Sequence, residues 1–357
     1  MTVQTGLAHN DADRIVISVD VMGGDQGPAT VVSGCDISAR KNPSLHFIFH
    51  GPKADIKPLV DRRSALKGRC EVRDAPDIVT MDDKPSQVVR NGKNTSMWSA
   101  IEAVRNKEAS VAVSCGNTGA LMALSMIRLR KLPGVNRPAI AVLYPSSNPQ
   151  GFNVLLDVGA DVRADADDLL RFALMGMSYA RNGLDLARPR VGLLNVGTEE
   201  HKGRVELKEA HELIRAQSDH AAFDFVGFVE GGDIPGNNCD VIVTDGFTGN
   251  VAIKTGEGTA TLVGDRLREA FKFTPLSRLA SLLAYPSLRR LKKKIDPRRV
   301  NGGVFLGLNG TVVKSHGSAD ATGVTSAVKL AAQLAHIQFT DKLAARVAAL
   351  PPEENAS

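Results

Sequence analysis

Short apolar runs alternate with longer amphipathic segments along most of the chain. Residues 14–20 (RIVISVD), 45–51 (LHFIFHG) and 111–116 (VAVSCG) are rich in β-branched and other apolar residues, and we predict that each forms a buried strand. The segments between them show helical spacing, as in 27–41, where Pro28 fits the first turn. Continuous apolar strands separated by helices predict an α/β fold, in which helices cover both faces of a mainly parallel sheet.

The same alternation continues along the chain, without an internal repeat or a low-complexity linker. We predict one α/β domain, or two lobes that share a sheet, over residues 14–349, with a disordered tail at 1–13 and a second tail at 350–357. Further strands are expected at 70–76, 139–145, 153–159, 190–197, 223–231 and 240–246, with a strand pair at 303–315. Further helices are expected at 53–66, 95–109, 118–131, 165–181, 204–217, 248–272 and 320–349.

Residues 266–299 form a basic insertion in this pattern. Within it, two apolar stripes follow the i, i+3, i+7 spacing of an amphipathic helix, and Pro286 separates them, which predicts a helical hairpin divided at the proline. The hairpin can pack on the core with a solvated charged face, pack against a second subunit, or contact an anionic lipid surface. The stripes are Leu276, Leu279 and Leu283, then Leu288, Leu291 and Ile295, and the basic cluster is Arg289, Arg290, Lys292, Lys293 and Lys294.

The positive charge of the chain is concentrated in the same insertion. The 357 residues carry a net charge of +5, whereas residues 266–299 hold 11 Lys and Arg against 2 acidic residues. The remainder of the chain is therefore slightly acidic. This distribution argues against nucleic-acid binding by the protein as a whole.

Cysteine and histidine usage predicts neither a disulfide nor a metal site. The four cysteines are widely spaced, the eight histidines are scattered, and the HExxH motif is absent. The sequence shows no apolar stretch of about 18 residues and no signal-peptide pattern. We therefore predict a cytoplasmic protein without a transmembrane helix.

Five predicted strands end in corners that combine glycine with Asp, Asn or Thr. Ligands of open parallel sheets bind beyond the carboxyl ends of the strands, so corners that converge on one edge predict a binding site. Glycine lets backbone N–H groups face a ligand, and a helix N-terminus favours an anion such as phosphate. The candidate binding residues are Asp20, Gly23, Gly24, Asp25, Asn117, Thr118, Gly119, Asp157, Asn195, Gly197, Thr198, Glu199, Asp245, Thr248, Gly249 and Asn250.

Each corner taken alone has a structural alternative. Asn117 can simply cap a helix, and Thr248 or Asn250 can cap the helix predicted from residue 248. Lys202 is more informative, because a cation at a helix N-terminus opposes the helix dipole unless an anion binds nearby.

Two further groups near these corners are candidates, and nucleotide motifs are absent. Lys254 lies one turn along the helix from Asn250, where it can bind an anion or simply be exposed. His316 follows a predicted strand at a glycine corner and is a candidate for proton transfer. Neither GxGxxG nor GxxxxGK[ST] occurs, so no motif indicates nucleotide binding.

Six motifs together resemble the bacterial phosphate acyltransferases of phospholipid synthesis. They are SVDVMGGDQGP, SCGNTGA, LLDVGAD, LLNVGTEEHKG, DVIVTDGFTGNVAIKTGEG and GVFLGLNGTVVKSHGSAD, and they occur in the order of that family between Arg14 and Ala345. The departures are small. Cys115 and Val21 occupy positions where the family has alanine, and Asp161 occupies one where it has asparagine.

The resemblance implies an activity: reversible transfer of a fatty acyl group from acyl carrier protein to inorganic phosphate, giving an acyl phosphate for phospholipid synthesis. It also implies a Rossmann-like fold related to phosphotransacetylases and isopropylmalate dehydrogenases. We further expect a cytoplasmic homodimer without a cofactor or metal, located at the inner face of the cell membrane. A membrane glycerol-3-phosphate acyltransferase would use its product, and the basic insertion could bind carrier protein, anionic lipid or the second subunit.

The chemistry of such a transfer fits the residue types at the corners. Phosphate attacks an activated thioester, so preorganised N–H donors and cations matter more than a covalent nucleophile, ATP or a metal. We expect Lys202, Asn250 and Thr248 to bind the phosphate and the oxyanion. The expected supporting residues are Asn117 and Thr118 on an opposite wall, Asp157 and Asp245 as orienting carboxylates, and His316 for proton transfer.

Three other functions fit parts of the sequence. A short-chain phosphotransacetylase that uses an acyl-coenzyme A would share the fold and the phosphate site. A dehydrogenase of the same fold would need an acidic metal site, for which no convincing aspartate set exists. A non-catalytic scaffold at the membrane surface would explain the basic insertion but not the five polar strand ends.

Overall fold

The computed structural model describes residues 14–295 and 302–348. The predicted tails and part of the basic insertion lie outside these ranges. The strands are β1 (Ile15–Asp20), β2 (Leu45–Gly51), β3 (Cys70–Asp74), β4 (Val111–Ser114), β5 (Ala139–Pro145), β6 (Phe152–Leu156), β7 (Arg190–Leu194), β8 (Asp224–Val229), β9 (Val241–Val243), β10 (Gly303–Leu306) and β11 (Thr311–Lys314). The helices are α1 (Pro28–Lys41), α2 (Lys53–Asp61), α3 (Pro85–Asn91), α4 (Ser96–Arg105), α5 (Thr118–Arg128), α6 (Ala166–Gly183), α7 (Val205–Ala221), α8 (Gly246–Lys272), α9 (Pro275–Ile295), α10 (Ala321–His336) and α11 (Phe339–Ala348).

The described residues divide into two compact units. Unit 1 contains residues 14–129 and 310–336, and unit 2 contains residues 130–295, 302–309 and 337–348. Strands and helices alternate in both units, which confirms the predicted α/β class.

Unit 1 is built on parallel strands in the order β3-β2-β1-β4-β11. Both faces of β1 are buried, with Ile17 and Val19 on one face and Ser18 and Asp20 on the other. Helix α4 covers the second face, where the Ser18 hydroxyl donates a 2.8 Å hydrogen bond to the carbonyl of Ala100. Helices α1 and α10 pack against each other and against these strands. The sheet of unit 1 is therefore covered on both faces, as predicted.

A buried histidine on β2 is part of the polar contact between the sheet and α4. The Ser18 hydroxyl donates to a carbonyl, so it accepts from the His50 Nε2–H at 2.8 Å. His50 Nδ1 then accepts from the Ser99 hydroxyl at 2.7 Å. Burial, with a smaller contribution from the charge of Arg73, lowers the pKa of His50 to about 3. The imidazole is neutral at ordinary pH.

Acidification is therefore expected to destabilise the protein through His50. An unfolded histidine titrates near 6.5, so below that pH the unfolded chain gains a proton that folded His50 cannot accept. The stability that comes from keeping His50 neutral is fully present above pH 6.5, and it is lost progressively as the pH falls from 6.5 towards 3. We expect about 2 kcal/mol less stability at pH 5 than at pH 7 from this residue. Urea unfolding of wild type and His50→Gln at both pH values measures it, and equal pH dependence of the two proteins would refute the assignment.

Unit 2 has the strand order β10-β5-β6-β9-β7-β8. Strand β5 is antiparallel to both neighbours and the remaining pairings are parallel, so the sheet is mixed but mainly parallel. Leu155 and Ile242 point to one face and belong to a buried cluster that contacts Ile253 of α8. On the opposite face α6 approaches closely, since a β-carbon added to Gly176 would lie 2.8 Å from Leu156 Cδ2. Helices thus cover both faces of this sheet.

The prediction of a helical hairpin divided at Pro286 is wrong. Helix α9 runs through Pro286, and its partner in a helix pair is the long α8. The turn comes earlier, where the Thr274 hydroxyl oxygen accepts the Ser277 N–H at 3.0 Å. Threonine at the cap and Pro275 in the first turn are an N-terminal helix signal that the sequence does contain. Across the described residues, no helix combines the length and apolar character required to span a bilayer.

The prediction of one continuous helix over 320–349 is also wrong. The chain forms α10 and α11 with a short break between them. Gln338 in this break has a φ of 51°, which is the left-handed region. No glycine or proline marks the position, so the hydrophobic pattern gave no reason to end the helix there.

Candidate active site

Three neighbouring strands of unit 2 end together, and each is followed by a polar residue that the sequence singled out. Strands β6, β9 and β7 lie side by side in that order. Asp157 follows β6, Asp245 lies two residues after β9, and Asn195 follows β7. The N–H of Asp157 donates to the carbonyl of Thr244 at 2.9 Å, which joins the first two ends. The structure therefore brings three of the predicted corners to one edge.

Asp157 organises the loop that follows β6. Its buried carboxylate accepts the N–H groups of Ile140 at 2.8 Å, Ala160 at 3.1 Å and Asp161 at 3.0 Å. Burial raises the pKa of Asp157, although these N–H groups oppose the shift. Asp161, one of the departures from the family pattern, forms an ion pair with Arg137. Asp157 therefore orders the loop after β6, and its predicted role of orienting ligand-binding donors stays a prediction.

Two glycines allow the first turn of α8 to lie directly against this loop. A β-carbon on Gly249 would be 2.0 Å from the carbonyl oxygen of Asp157, and one on Gly246 would be 2.1 Å from that of Asp161. The helix begins at Gly246, two residues earlier than predicted. Asn250, the fifth residue of α8, faces the same loop, because a β-carbon on Gly159 would be 3.9 Å from its Cβ.

Asp245 caps α8, rather than Thr248 or Asn250, which the sequence offered as possible caps. One carboxylate oxygen of Asp245 accepts the Thr248 N–H at 2.8 Å, and the other accepts the Thr248 hydroxyl at 3.0 Å. The Arg204 guanidinium also donates to the second oxygen. Burial on its own would raise the pKa of Asp245, but these donors hold it below its usual value. Asp245 is thus a carboxylate that orients Thr248.

Lys202 lies in the loop between β7 and α7, which we call the lysine loop (residues 195–204). Its Nζ forms a 2.8 Å ion pair with Glu199, which raises the pKa of Lys202 and keeps the ammonium charged. The side chain passes over Gly197, where a β-carbon would lie 2.5 Å from Lys202 Cδ. Thr198 lies in the same loop, and Lys254, on α8, pairs with Glu257 at 2.7 Å.

Asn195 holds the base of the lysine loop. Its Nδ2 donates to the carbonyl of Lys202 at 3.2 Å. Its buried Oδ1 has no hydrogen-bond partner among the described residues. A β-carbon on Gly203, whose φ is 90°, would lie 2.2 Å from that oxygen, so only glycine fits this close approach.

Unit 1 gathers a second group of predicted residues at the ends of β1, β4 and β11. The Asp20 carboxylate accepts the Ser114 hydroxyl at 2.7 Å, and burial raises its pKa against the opposing effects of Ser114 and Lys314. A β-carbon on Gly23 would be 2.6 Å from Asp20 Oδ2, and the N–H of Asp25 donates to the carbonyl of Gly317 at 2.9 Å. Gly24 lies beside Cys115, and Ser114 was not singled out in the sequence.

Asn117 has a structural role in unit 1. Its Oδ1 accepts the Ala120 N–H at 3.1 Å and caps α5. Its Nδ2 donates to the carbonyls of Met81 at 2.9 Å and Asp83 at 3.1 Å. Both amide hydrogens are thus engaged with a distant loop, and Thr118 and Gly119 form the first turn of the capped helix.

Two other reactive side chains of unit 1 are also held by local contacts. The Nδ1 of His316 accepts a hydrogen bond from Ser318, whose hydroxyl lies 2.8 Å away. Cys115 is buried, and burial raises the pKa of its thiol above the usual range. A protonated buried thiol does not favour a nucleophilic role for Cys115.

The α8–α9 helix pair exposes a large apolar surface. At the turn and on α9, Phe273 is 88% exposed and Leu283 is 80% exposed. Leu276 and Leu279 are exposed too, Leu288 is half-buried, and Arg289 and Arg290 are exposed. The side chains of Lys292, Lys293 and Lys294 lie outside the described part of the chain. Such a patch marks an interaction surface.

The family model described as fatty acid synthesis protein matches residues 15–342. The phosphate acyltransferase of Roseobacter denitrificans is 83% identical over 354 residues, covering 99% of each chain. The phosphate acyltransferase of Ruegeria pomeroyi is 71% identical over 348 residues, covering 98% of this chain and 94% of the relative.

Solved structures of phosphotransacetylases are similar in fold. That from Streptococcus pyogenes has a TM-score of 0.58 at 15% identity, covering 90% of this chain and 94% of its own. A branched-chain phosphotransacylase from Enterococcus faecalis has a TM-score of 0.56 at 13% identity, covering 90% and 99%. These likenesses confirm the predicted phosphotransacetylase-like fold.

Proposed function

Since this chain belongs to the fatty acid synthesis protein family, we propose that it is a phosphate acyltransferase that moves a fatty acyl group from acyl carrier protein to inorganic phosphate. The observation that carries the proposal is the 83% identity, over nearly the full length, to a protein named phosphate acyltransferase. The acyl phosphate would then serve phospholipid synthesis, through a membrane acyltransferase that acts on glycerol 3-phosphate.

The bonds formed and broken in the proposed reaction can be accounted for without a cofactor. A phosphate oxygen attacks the thioester carbonyl, the C–O bond forms, and the tetrahedral oxyanion collapses with cleavage of the C–S bond. The carrier leaves as a thiolate, which takes up a proton. Acyl phosphate and thioester are both activated, so the transfer is reversible.

The corner of unit 2 supports this chemistry. The N-terminus of α8 offers a positive dipole end, and Lys202 supplies a charged ammonium in a neighbouring loop. We assign the phosphate and the oxyanion to Lys202, Asn250 and the backbone around Thr248. Asp245 orients that backbone by accepting the Thr248 N–H, and Asp157 orders the neighbouring loop after β6 by accepting the Ala160 N–H.

The polar strand ends of unit 1 belong to the same proposal. The binding residues there are Asp20, Gly23, Gly24, Asp25, Thr118 and Gly119, with His316 as the proton-transfer group. Asn117 would act through its N-terminal cap on α5 rather than through its own amide.

An assay of acyl phosphate formation from different thioesters tests the proposed function directly. Purified protein is incubated with a long-chain acyl carrier protein thioester, with and without phosphate, and acyl phosphate is detected as hydroxamate. We expect product only when phosphate is present. A parallel reaction with acetyl-coenzyme A distinguishes a short-chain phosphotransacetylase, and absence of product from both thioesters would refute the proposal.

We also propose that the protein is a homodimer that associates peripherally with the inner face of the cell membrane through the α8–α9 pair. Exposed leucines next to Arg289 and Arg290 are suited to shallow insertion beside anionic headgroups. The same surface could accommodate the second subunit or the carrier protein, and sedimentation equilibrium tests the dimer.

Vesicle flotation at low salt should show binding to anionic but not zwitterionic vesicles. Each basic side chain near such a surface contributes roughly 1 kcal/mol, so Arg289→Gln with Arg290→Gln is expected to weaken partitioning by at least about tenfold. The matched control, Lys41→Gln with Lys67→Gln, removes the same charge from exposed positions of unit 1. Equal flotation of both double variants would exclude this attachment site.

A further inference from the structure

Arg204 joins the N-termini of two helices of unit 2. It is the last residue of the lysine loop and directly precedes α7. Its guanidinium donates to Asp245, which is the cap of α8. The contact spans 41 residues of sequence, so it links two segments that the chain order does not hold together.

This contact lies close to the proposed phosphate-binding groups on both sides. Lys202 is two residues before Arg204, and Asn250 is five residues after Asp245. The lysine loop has another side-chain link, in which the Asn195 Nδ2 donates to the carbonyl of Lys202 at 3.2 Å. That link leads back to β7, whereas Arg204 ties the loop to α8.

The electrostatics favour a defined geometry for the pair. The Asp245 side chain is only 3% exposed and also accepts two hydrogen bonds from Thr248, so its position is fixed. Arg204 is 57% exposed, so the guanidinium reaches the buried carboxylate from the surface. A guanidinium held by a fixed carboxylate restricts the backbone that carries it.

We propose that Arg204 is a positioning residue for acyl transfer: by binding Asp245, it fixes the lysine loop and its Lys202 against the N-terminus of α8. This inference rests on the proposed function and assigns Arg204 no contact with the reacting atoms. Loss of the link leaves Lys202 in the chain but lets its loop move. Turnover therefore falls because the cation is misplaced.

Steady-state kinetics of Arg204 variants test the proposal in the intact protein. For Arg204→Ala we expect kcat/KM for inorganic phosphate to fall by about 10- to 100-fold. Arg204→Lys should recover part of the loss, and added guanidinium ion should partly rescue Arg204→Ala. In a double-mutant cycle, Arg204→Ala should add little to Asp245→Asn, because Asp245→Asn already removes the carboxylate oxygen that Arg204 binds.

A matched variant controls for general loss of an ion pair. Arg188→Ala removes another Arg–Asp contact of unit 2, that with Asp224, and is expected to keep wild-type kinetics. Circular dichroism and thermal melting report the folded fraction, and Arg204→Lys replaces Arg204→Ala if the latter does not fold.

The outcomes separate this inference from the function itself. Inactive wild-type protein would refute the proposed function. Active wild type with unchanged kcat and KM in folded Arg204→Ala would overturn the positioning role alone. A lower melting temperature without a kinetic change would have the same consequence, since it would identify Arg204 as purely structural.

Discussion

Replacing Lys202 with alanine is expected to lower kcat/KM for inorganic phosphate by about 10²–10³-fold while the protein stays folded. The ammonium is exposed and its ion pair with Glu199 lies within one loop, so little folding energy depends on it. The other arginine or lysine of the lysine loop, Arg204, is bound to Asp245, so it is not expected to replace the positive charge of Lys202. Acyl phosphate formation at varied phosphate concentrations measures the effect.

The control for Lys202→Ala is Lys208→Ala, which removes the same charge from α7. We expect Lys208→Ala to keep activity within about twofold of wild type, because this lysine lies beyond the loop. Circular dichroism should show both variants folded. Full activity in Lys202→Ala would remove this lysine from the mechanism, and the phosphate would then have to be held by backbone groups and Asn250.

The strands were the most predictable part of the fold. The runs at 45–51 and 139–145 were predicted with the bounds that the structure shows. Both are short runs rich in apolar residues and bounded by turn residues, so their composition and their length both indicate a strand. The strand after residue 240 was predicted too long, since only Val241–Val243 form the ladder and the next residues begin the corner.

Helix ends were less predictable, because several residues near an end can act as caps. The stretch after β9 offers Asp245, Thr248 and Asn250, and each side chain can accept an N–H. The structure selects Asp245, whose second oxygen is also bonded by Arg204 from a distant segment. The sequence around Asp245 contains no information on its contact with Arg204, which lies 41 residues away in the chain.

Proline was a weaker signal than its neighbours at the basic insertion. An exposed helix tolerates Pro286 at the cost of one backbone hydrogen bond and a local bend. Thr274 and Pro275 together form a start signal, which outweighs it. The hydrophobic pattern correctly predicted helix in the basic insertion, but it did not locate the turn between α8 and α9.

The candidate site was predictable in its residue types and not in their partners. Glycine-rich strand ends identified Asp157, Asn195 and Asp245, which the structure brings to one edge of unit 2. Asn117 was expected to donate to a ligand, yet its amide bonds a loop more than 30 residues away. Contacts of this kind depend on tertiary structure, which single-sequence patterns do not contain.

Gly249→Ala is expected to destabilise the protein by more than about 3 kcal/mol. The added β-carbon would lie 2.0 Å from the carbonyl oxygen of Asp157 and 3.0 Å from Thr244 Cγ2. Asp157 is held by several backbone N–H groups, so its carbonyl cannot retreat without breaking the loop. Urea unfolding at pH 7 measures the change in free energy.

Gly258→Ala supplies the comparison within the same helix. A β-carbon at Gly258 meets no described atom within 4 Å, so alanine should stabilise α8 by about 1 kcal/mol through helix propensity. The two substitutions are chemically identical and are expected to have opposite signs. If Gly249→Ala were as stable as Gly258→Ala, then the first turn of α8 could not lie directly against the Asp157 loop. The geometry assigned to Asn250 and to the backbone around Thr248 would then be incorrect as well.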